Sequence, residues 1–529
     1  ELFGIAKHSK IYNKALKRWS ERHASESNLG IKPHHLHLPM RDGVDLYTVY
    51  VTPDIIFNEK NPTVLIRSPY GTDGTENLAL LWIPLGFNCV MQNERGTGKS
   101  GGNWTYWHAA SNDGYDTMDW ISKQKWSNGK VYQVGASADG IISYLDLLQP
   151  QPTLHGQWLI WSSGRSYDIA IGGGALKHNL VKHWLHKIQE WRPKIPKDTY
   201  YDHIQSNELY GPFWSDCDLQ NATNVNFPAI HSPGWYDVFL GVMLDSWELY
   251  QFHSQPGARH QQKLIVGARG HCEATAVFKD LYGRLALVYS FEETIRIFGA
   301  PFLKEINDED FTAGRSLDLV TLWVMGSSNW SKKNNKLNVS DKKDPSKGFY
   351  WSSIPSWPPI KNTSMNVLYP WTDNSLRNQA PTSSSKSYVY DPKNPVPTIG
   401  GNTLFQACGP LDQSSLSNRS DILQFTTEKF ASATPLCGKF HITLEVSSNR
   451  TDTDFTYKLT DVHPDGSDSI LTDFIIRMRF RNAAHPKHVD LMIPHKKYIV
   501  KQSSWPVCYI LQPGHRLRLS ISSSKYVKS

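Results

Sequence analysis

The stretch VYQVGASADGIISYL, residues 131–145, passes from one short apolar run through Gly135-Ala136-Ser137-Ala138-Asp139-Gly140 into another. A β-rich run, a tight turn of small residues and a helical run, in that order, describe an elbow that holds a nucleophilic Ser on a sharp strand-to-helix turn. Small neighbours are needed because strand and helix cross closely there: Gly135 stands two before Ser137, Ala138 directly after it and Gly140 three after it. The run IISYLDLL continues in helical rhythm, and Asp139 falls in the first turn, where the helix dipole favours an acid. A plain strand-to-helix turn has similar composition, so the reading depends on what surrounds it.

Two other serines compete. Ser166 lies in Gly164-Arg165-Ser166-Tyr167 after the apolar run QWLIW, but the DIAIGGGA around and beyond it carries three glycines, a poor helix start. Gly98-Lys99-Ser100 resembles a phosphate loop, yet the position that requires Gly holds Asn93.

A serine hydroxyl is a weak nucleophile near neutral pH; it needs a base, and the base needs an orienting acid. With an elbow of this kind the chain order is Ser, acid, His, each on a loop at the carboxyl end of a strand. Asp237 follows the strand-like FPAIHSP within Gly234-Trp235-Tyr236-Asp237, and His271 follows KLIVGA within Arg269-Gly270-His271. The developing oxyanion needs donors. The candidates are the backbone N–H of Ala138 and the hydroxyl of Tyr70, in RSPYG after TVLIR.

Outward from the elbow, VDLYTVYVT (44–52), PTVLIRS (62–68), GFNCVMQ (86–92) and KVYQVGA (130–136) read as strands, with a helix over 111–124. Such alternation predicts a mostly parallel sheet covered on both faces. Residues 1–30 read as a basic amphipathic helix ending in a polar linker. The rhythm breaks over 162–221, where helical, aromatic segments fit a cap insertion. It returns at 225–233 and 262–268, followed by a helix through about 283–305. Beyond 326 a charged Asn/Ser/Lys-rich run precedes short alternating segments, including two strands about a Pro-Asp-Gly turn in 455–480 and HRLRLSIS (515–522). No internal repeat is evident.

At 529 residues the chain has room for several domains, and 39% apolar with 12% aromatic residues can fill their cores. No run of about 18 apolar residues predicts a membrane span. The net charge of +7 is spread over 56 basic and 49 acidic residues without an arginine stripe, which argues against a nucleic-acid partner. Cysteines at 89, 217, 272, 408, 437 and 508 have no metal-type spacing, and one disulfide is expected among the three in the C-terminal third. Sequons at Asn103, Asn221, Asn329, Asn338, Asn362, Asn418 and Asn449 favour N-linked glycans and a secreted or lysosomal location over a cytoplasmic one. The first residue is Glu1, as in a mature form whose leader has been removed, or in a fragment. His183 and His186 are too few for a metal, and the acidic TDTDF (451–455) reads as a solvated strand end, so no metal or cofactor is expected.

RSPYG, NERGTGKSGG (93–102), DGYDTMDWISKQKWSNGKV (113–131), the Ser137 elbow, GWYD and RGH occur in one order. YDPKNPVPTIGG (390–401), DTDFTYKLTDVHPDG (452–466) and LQPGHRLRLSISSS (511–524) follow. In this order the chain resembles the cocaine-esterase and Xaa-Pro dipeptidyl-peptidase type of serine hydrolase over roughly residues 36–525. The resemblance implies an α/β fold: an α/β-hydrolase domain with an inserted helical cap, plus a C-terminal all-β, jelly-roll-like sandwich domain that helps wall the active site. The expected parts are a helical extension over 1–30, hydrolase segments over 31–161 and 222–325, the cap over 162–221, and linker with jelly roll over 326–529. By matching position it implies a triad of Ser137, Asp237 and His271, with Tyr70 and the Ala138 N–H as oxyanion hole. Trp184, Trp191, Phe213 and Trp214 of the cap are candidates for the substrate pocket, or for the cap's own core.

The chain departs from the family in three places. Ala138 stands where relatives usually have Tyr, and Arg269-Gly270-His271 replaces a Gly-Pro-Trp-x-His context. Relatives usually continue past the last residue, so a closing strand is expected to be missing here. Three activities remain open: hydrolysis of carboxylic esters or amides through an acyl-enzyme, release of dipeptides, and a catalytically silent scaffold. Capture of a free amino terminus needs an acid in the pocket. Val238-Phe239-Leu240 follow Asp237 where amino-acid ester hydrolases of the superfamily place acids, which favours a small uncharged ester over a short peptide.

Overall fold

The computed structural model describes residues 6–26, 31–53, 60–73, 75–191, 199–271, 281–326, 329–331, 336–338, 346, 348–359, 365–382, 385–404 and 406–525. The Val- and Ile-rich runs form strands β1 (His34–Pro39), β2 (Asp45–Val51), β3 (Asn61–Ser68), β4 (Asn88–Asn93), β5 (Ser127–Ala136), β6 (Leu154–Ile160), β7 (Ala229–Ser232), β8 (Lys263–Gly270) and β9 (Val320–Gly326). They lie side by side in the order β1-β2-β4-β3-β5-β6-β7-β8-β9. All neighbours from β4 to β9 are parallel, and β1 and β2 form an antiparallel edge. β3 and β4 are buried at every position, as strands covered on both faces must be.

Helices α1 (Lys10–Arg22), α2 (Ala110–Ser122), α3 (Ala138–Leu145), α4 (His178–Trp191), α5 (Leu240–His253) and α6 (Leu281–Ile297) flank this sheet or its cap. On one face, Tyr12 and Trp19 of α1 and Phe291 and Ile295 of α6 pack with Trp82, Trp158 and Phe298. On the other, Met118 of α2 and Met243 and Tyr250 of α5 pack with Leu65, Val131 and Leu159. The N-terminal extension is thus part of the core: Ser9 caps α1 and donates to Glu292 of α6 at 2.6 Å. The helix expected through 305 stops at Ile297, because Gly299 turns left-handed (φ +60°) and a short 3₁₀ turn, Pro301–Glu305, follows.

The cap contains α4, Thr199–Ser206 and Pro212–Ser215, together with a small hairpin, Ile171–Gly172 with Ala175–Leu176. Its contacts reach the C-terminal domain: Arg477 N donates to Gly173 O at 2.8 Å and Tyr210 N to Pro486 O at 2.8 Å. A Cβ on Gly173 would lie 1.8 Å from Ile475 O, so this approach requires glycine.

The C-terminal part is all-β and antiparallel. One sheet holds Leu423–Thr426, Arg516–Ser522, Asp454–Val462 and Asp468–Arg477, in that order. Leu517, Leu519 and Ile521 alternate into its core. Cys437 and Cys508 face each other across Thr434–Gly438 and Val507–Leu511 and form the disulfide. Most of the charged run over 327–348 lies outside the described residues. β9 also pairs in parallel with Val507–Leu511, through Met325↔Tyr509 and Gly326↔Ile510. The hydrolase sheet therefore runs directly into the C-terminal domain.

Candidate active site

The end of β5 and the start of α3 meet at Ser137, whose backbone sits at φ 57°, ψ −125°. A non-glycine residue there is strained, by about 1–3 kcal/mol as a rule, and persists only when its surroundings enforce it. The flanking glycines show why. A Cβ on Gly135 would come 2.5 Å from Asp139 O, and one on Gly140 would come 2.2 Å from Ser162 Oγ. The crossing leaves no space for side chains on either side of the turn.

Asp237 ends the short strand Gly234–Tyr236, which runs beside β8, and is fully buried. Its Oδ1 accepts from Phe239 N at 2.7 Å. His271 follows β8. Its Nδ1 lies 2.7 Å from Asp237 Oδ2 and its Nε2 2.9 Å from Ser137 Oγ. A carboxylate only accepts, so Nδ1 carries the hydrogen and Nε2 accepts from the serine hydroxyl. The imidazole is walled by Phe239, edge-on at 5.1 Å, and by Trp161 at 5.9 Å. Arg269 is buried, and its guanidinium stacks over the same Trp161 at 4.9 Å.

Tyr70 lies on the loop after β3, where its N–H donates to Ser68 Oγ at 3.1 Å. Its hydroxyl oxygen accepts from Trp184 Nε1 of α4 at 3.0 Å. The Ala138 N–H stands at the N-terminus of α3. Burial pushes the Asp139 carboxyl up to about 7, against a hydrogen bond from Ser68. Glu94 is pushed up to about 8 by burial and accepts from Trp104 Nε1 at 3.1 Å.

The four cap aromatics separate. Trp184 reaches the Tyr70 hydroxyl and packs on Trp107, ring centres 5.4 Å apart. Phe213 stacks on Tyr106 at 5.8 Å. Trp214 is fully buried and donates to Asn207 O at 2.7 Å, as core of the cap. The side chain of Trp191 lies outside the described residues. Ser166 is buried at the start of a five-residue helix, and its Oγ has no hydrogen-bond partner among the described residues. His183 Nδ1 is bonded to Asn179 O at 3.0 Å within α4.

Among the described residues one group, Asp461, His463 and His515, could hold a metal by residue type. Its polar atoms are bonded to one another and to neighbours. His515 Nδ1 lies 2.8 Å from Asp461 Oδ1, Tyr509 donates to Asp461 Oδ2 at 2.7 Å, and Ser469 Oγ lies 3.2 Å from His463 Nε2. Residues that reading the sequence passed over lie on the C-terminal domain: Leu404 packs into the cluster holding Tyr70, Trp184 and Phe239. Asn402 donates to Trp235 O and Asp237 O. The only local signal was the glycine pair that closes YDPKNPVPTIGG, directly before Asn402.

Two family models divide most of the chain between them. Residues 42–273 match the X-Pro dipeptidyl-peptidase (S15 family), and 328–529 match the X-Pro dipeptidyl-peptidase C-terminal non-catalytic domain. The cocaine esterase of Rhodococcus sp. (strain MB1 Bresler) is 27% identical, over 93% of this chain and 90% of its own. The chain belongs to the cocaine-esterase and Xaa-Pro dipeptidyl-peptidase type of serine hydrolase. The fold of the hydrolase is shared with an aminopeptidase from a marine sediment archaeon (Thaumarchaeota archaeon), with a TM-score of 0.70, 20% identity and 94% and 89% of the two chains covered. An α-amino acid ester hydrolase superposes with a TM-score of 0.68, 19% identity and the same coverage of 94% and 89%. At those identities the likeness concerns architecture alone. In the hydrolase, as described, no helix is long and apolar enough to cross a membrane.

Proposed function

We propose that the hydrolase cleaves uncharged carboxylic esters through an acyl-enzyme on Ser137. The observation that carries this reading is the continuous path Ser137 Oγ–His271 Nε2 (2.9 Å), His271 Nδ1–Asp237 Oδ2 (2.7 Å), built on a serine in left-handed backbone. Ser137 Oγ attacks the ester carbonyl as its proton passes to His271 Nε2, and Asp237 stabilises the imidazolium. The tetrahedral oxygen is held by the Ala138 N–H and the Tyr70 hydroxyl. His271 then gives its proton to the departing alkoxide, and water repeats the sequence to free the acid and Ser137.

The family models' names favour a second reading, a peptidase releasing dipeptides. A free amino terminus needs a carboxylate near it, whereas Val238 and Phe239 beside Asp237 are buried apolar residues, which supports the ester. Fluorophosphonate labelling followed by intact mass tests the nucleophile. One adduct, lost in Ser137→Ala and kept in Ser166→Ala, is expected. An unlabelled, folded wild type would instead indicate a silent scaffold. Turnover of p-nitrophenyl esters beside Xaa-Pro-p-nitroanilides separates the two activities.

Secretion or a lysosomal location, with N-linked glycans, is also proposed. Asn103, Asn221, Asn418 and Asn449 are exposed, and the Cys437–Cys508 disulfide suits an oxidising compartment. A mass shift on glycosidase treatment of protein from secreting eukaryotic cells is the check, and no shift would count against it.

A further inference from the structure

Asn402 belongs to the C-terminal domain, yet both hydrogens of its amide are spent on the hydrolase domain. Its Nδ2 donates to Trp235 O at 3.0 Å and to Asp237 O at 2.8 Å. Those carbonyls bracket the end of the strand that delivers Asp237. Asp237 O also accepts from Leu240 N at 3.1 Å, so Asn402 adds a second bond there and ties that turn to Trp235 O. A few residues on, Cys408 meets the other loop: a Cβ on Gly270, the residue before His271, would lie 2.2 Å from Cys408 Sγ.

The segment between these contacts is closed on itself. Gly401 N donates to Gly409 O at 2.8 Å and Gly409 N to Gly401 O at 3.0 Å. Thr403 Oγ1 reaches Gln406 O and Ala407 O, both at 3.3 Å. Gly400 and Gly401 are left-handed (φ +64° and +71°), and a Cβ on Gly400 would fall 2.6 Å from Gly409 O. Leu404 packs against the buried cluster to which Tyr70, Trp184 and Phe239 also belong. One short loop thus touches the backbone that carries the acid, the backbone that carries the base, and the aromatic wall above them.

We propose that residues 401–404 and 406–409 form a brace that sets the distance between Asp237 and His271, with Asn402 as its positioning residue. The proposal rests on the function read above for Ser137, His271 and Asp237. The domain whose family model is called non-catalytic then contributes to turnover without touching substrate through Asn402. Catalytic groups must be held to within about 0.5 Å, and Asp237 hangs on a turn after a strand of only three residues. Without Asn402 the turn loses two of its restraints, Asp237 drifts, and it supports the imidazolium less. Among the described residues, the charged and titratable groups set near the pair are Arg269, over Trp161; Tyr236, whose phenol burial pushes up; and Cys408 behind Gly270.

The test uses the full chain with p-nitrophenyl butyrate, active sites being counted by fluorophosphonate so that kcat refers to labelled serine. Asn402→Ala is expected to lower kcat about 10–100-fold, with KM within about threefold. The acid limb of kcat/KM should move down by about half a pH unit or more, because the imidazolium loses part of its carboxylate support. Leu404→Ala should raise KM and leave that limb in place. If Asn402→Ala does not fold, Asn402→Leu, which keeps the shape, loses both donors and adds no charge, carries the same readouts. Wild-type kcat per active site and an unmoved limb, with only thermal stability lowered, would reduce Asn402 to a domain-interface bond. A labelled wild type with that result overturns the brace alone, whereas a wild type that takes no label overturns the reading beneath it.

Discussion

Trp184 Nε1 donates to the hydroxyl oxygen of Tyr70 at 3.0 Å, joining a cap helix to the loop after β3. A phenol oxygen that accepts from an indole still has its own hydrogen to donate, and the proposed reaction uses that hydrogen on the oxyanion.

Tyr70→Phe should lower kcat about 10²–10³-fold, as loss of one oxyanion donor does. Trp184→Phe, which removes the bond that orients Tyr70, should cost about 5–30-fold. Combining them should cost little more than Tyr70→Phe alone. Additive losses in that steady-state double-mutant cycle would mean that Trp184 acts through the pocket and not through Tyr70.

Strain at Ser137 predicts an inversion of the usual stability order. Gly accepts φ 57° without a Cβ penalty. Ser137→Gly should therefore unfold at a higher temperature than Ser137→Ala, by about 1 kcal/mol of stability once the greater unfolded-state entropy of Gly is subtracted. Calorimetry on both inactive variants checks this, and an equal or lower midpoint for Gly would refute it.

Gly140→Ala places a methyl 2.2 Å from Ser162 Oγ and 2.8 Å from Gly135 O. Neither the β5–α3 crossing nor β6 can retreat without breaking sheet bonds. We expect a loss above about 2 kcal/mol by urea unfolding, together with loss of labelling at Ser137.

Asp139 and Glu94 predict the pH dependence of stability. Burial raises them to about 7 and about 8, so the folded protein keeps protons that the unfolded chain has released. Where the unfolded state binds fewer protons, stability falls as pH rises. Their contribution is therefore intact near pH 4 and is lost progressively up to pH 7–8. Asp139→Asn and Glu94→Gln, which mimic the neutral forms, should flatten that decline and gain on the wild type at pH 8–9. Thermal midpoints across pH 5–9 measure it, and parallel curves would count against the prediction.

Local pattern alone makes the alternation of β3, β4 and β5 with helices legible, because each strand carries a short apolar centre containing Val, with Leu, Ile, Met or Tyr beside it, between polar residues. The elbow is legible for a related reason: a close strand–helix crossing excludes Cβ atoms at Gly135 and Gly140, and that exclusion is visible as composition. Asp237 and His271 could be named because each stands directly after a strand. The paired strands around Pro-Asp-Gly and the alternation of Leu517, Leu519 and Ile521 likewise declared the β domain. Other features have no local trace. The end of α6 depends on where Gly299 turns, and the separation of Trp184 from Trp214 depends on which side of the cap each faces. The parallel pairing of β9 with Val507–Leu511 joins segments about 180 residues apart, and the reach of Asn402 to Asp237 spans 165. Side-chain amides and edge strands find such partners only once the chain is folded, since their bonding groups are the same in every Asn and every strand. The sequence by itself determined the strands, the elbow and the order of its partners; the tertiary structure alone decided that a loop of the β domain bears on both the acid and the base.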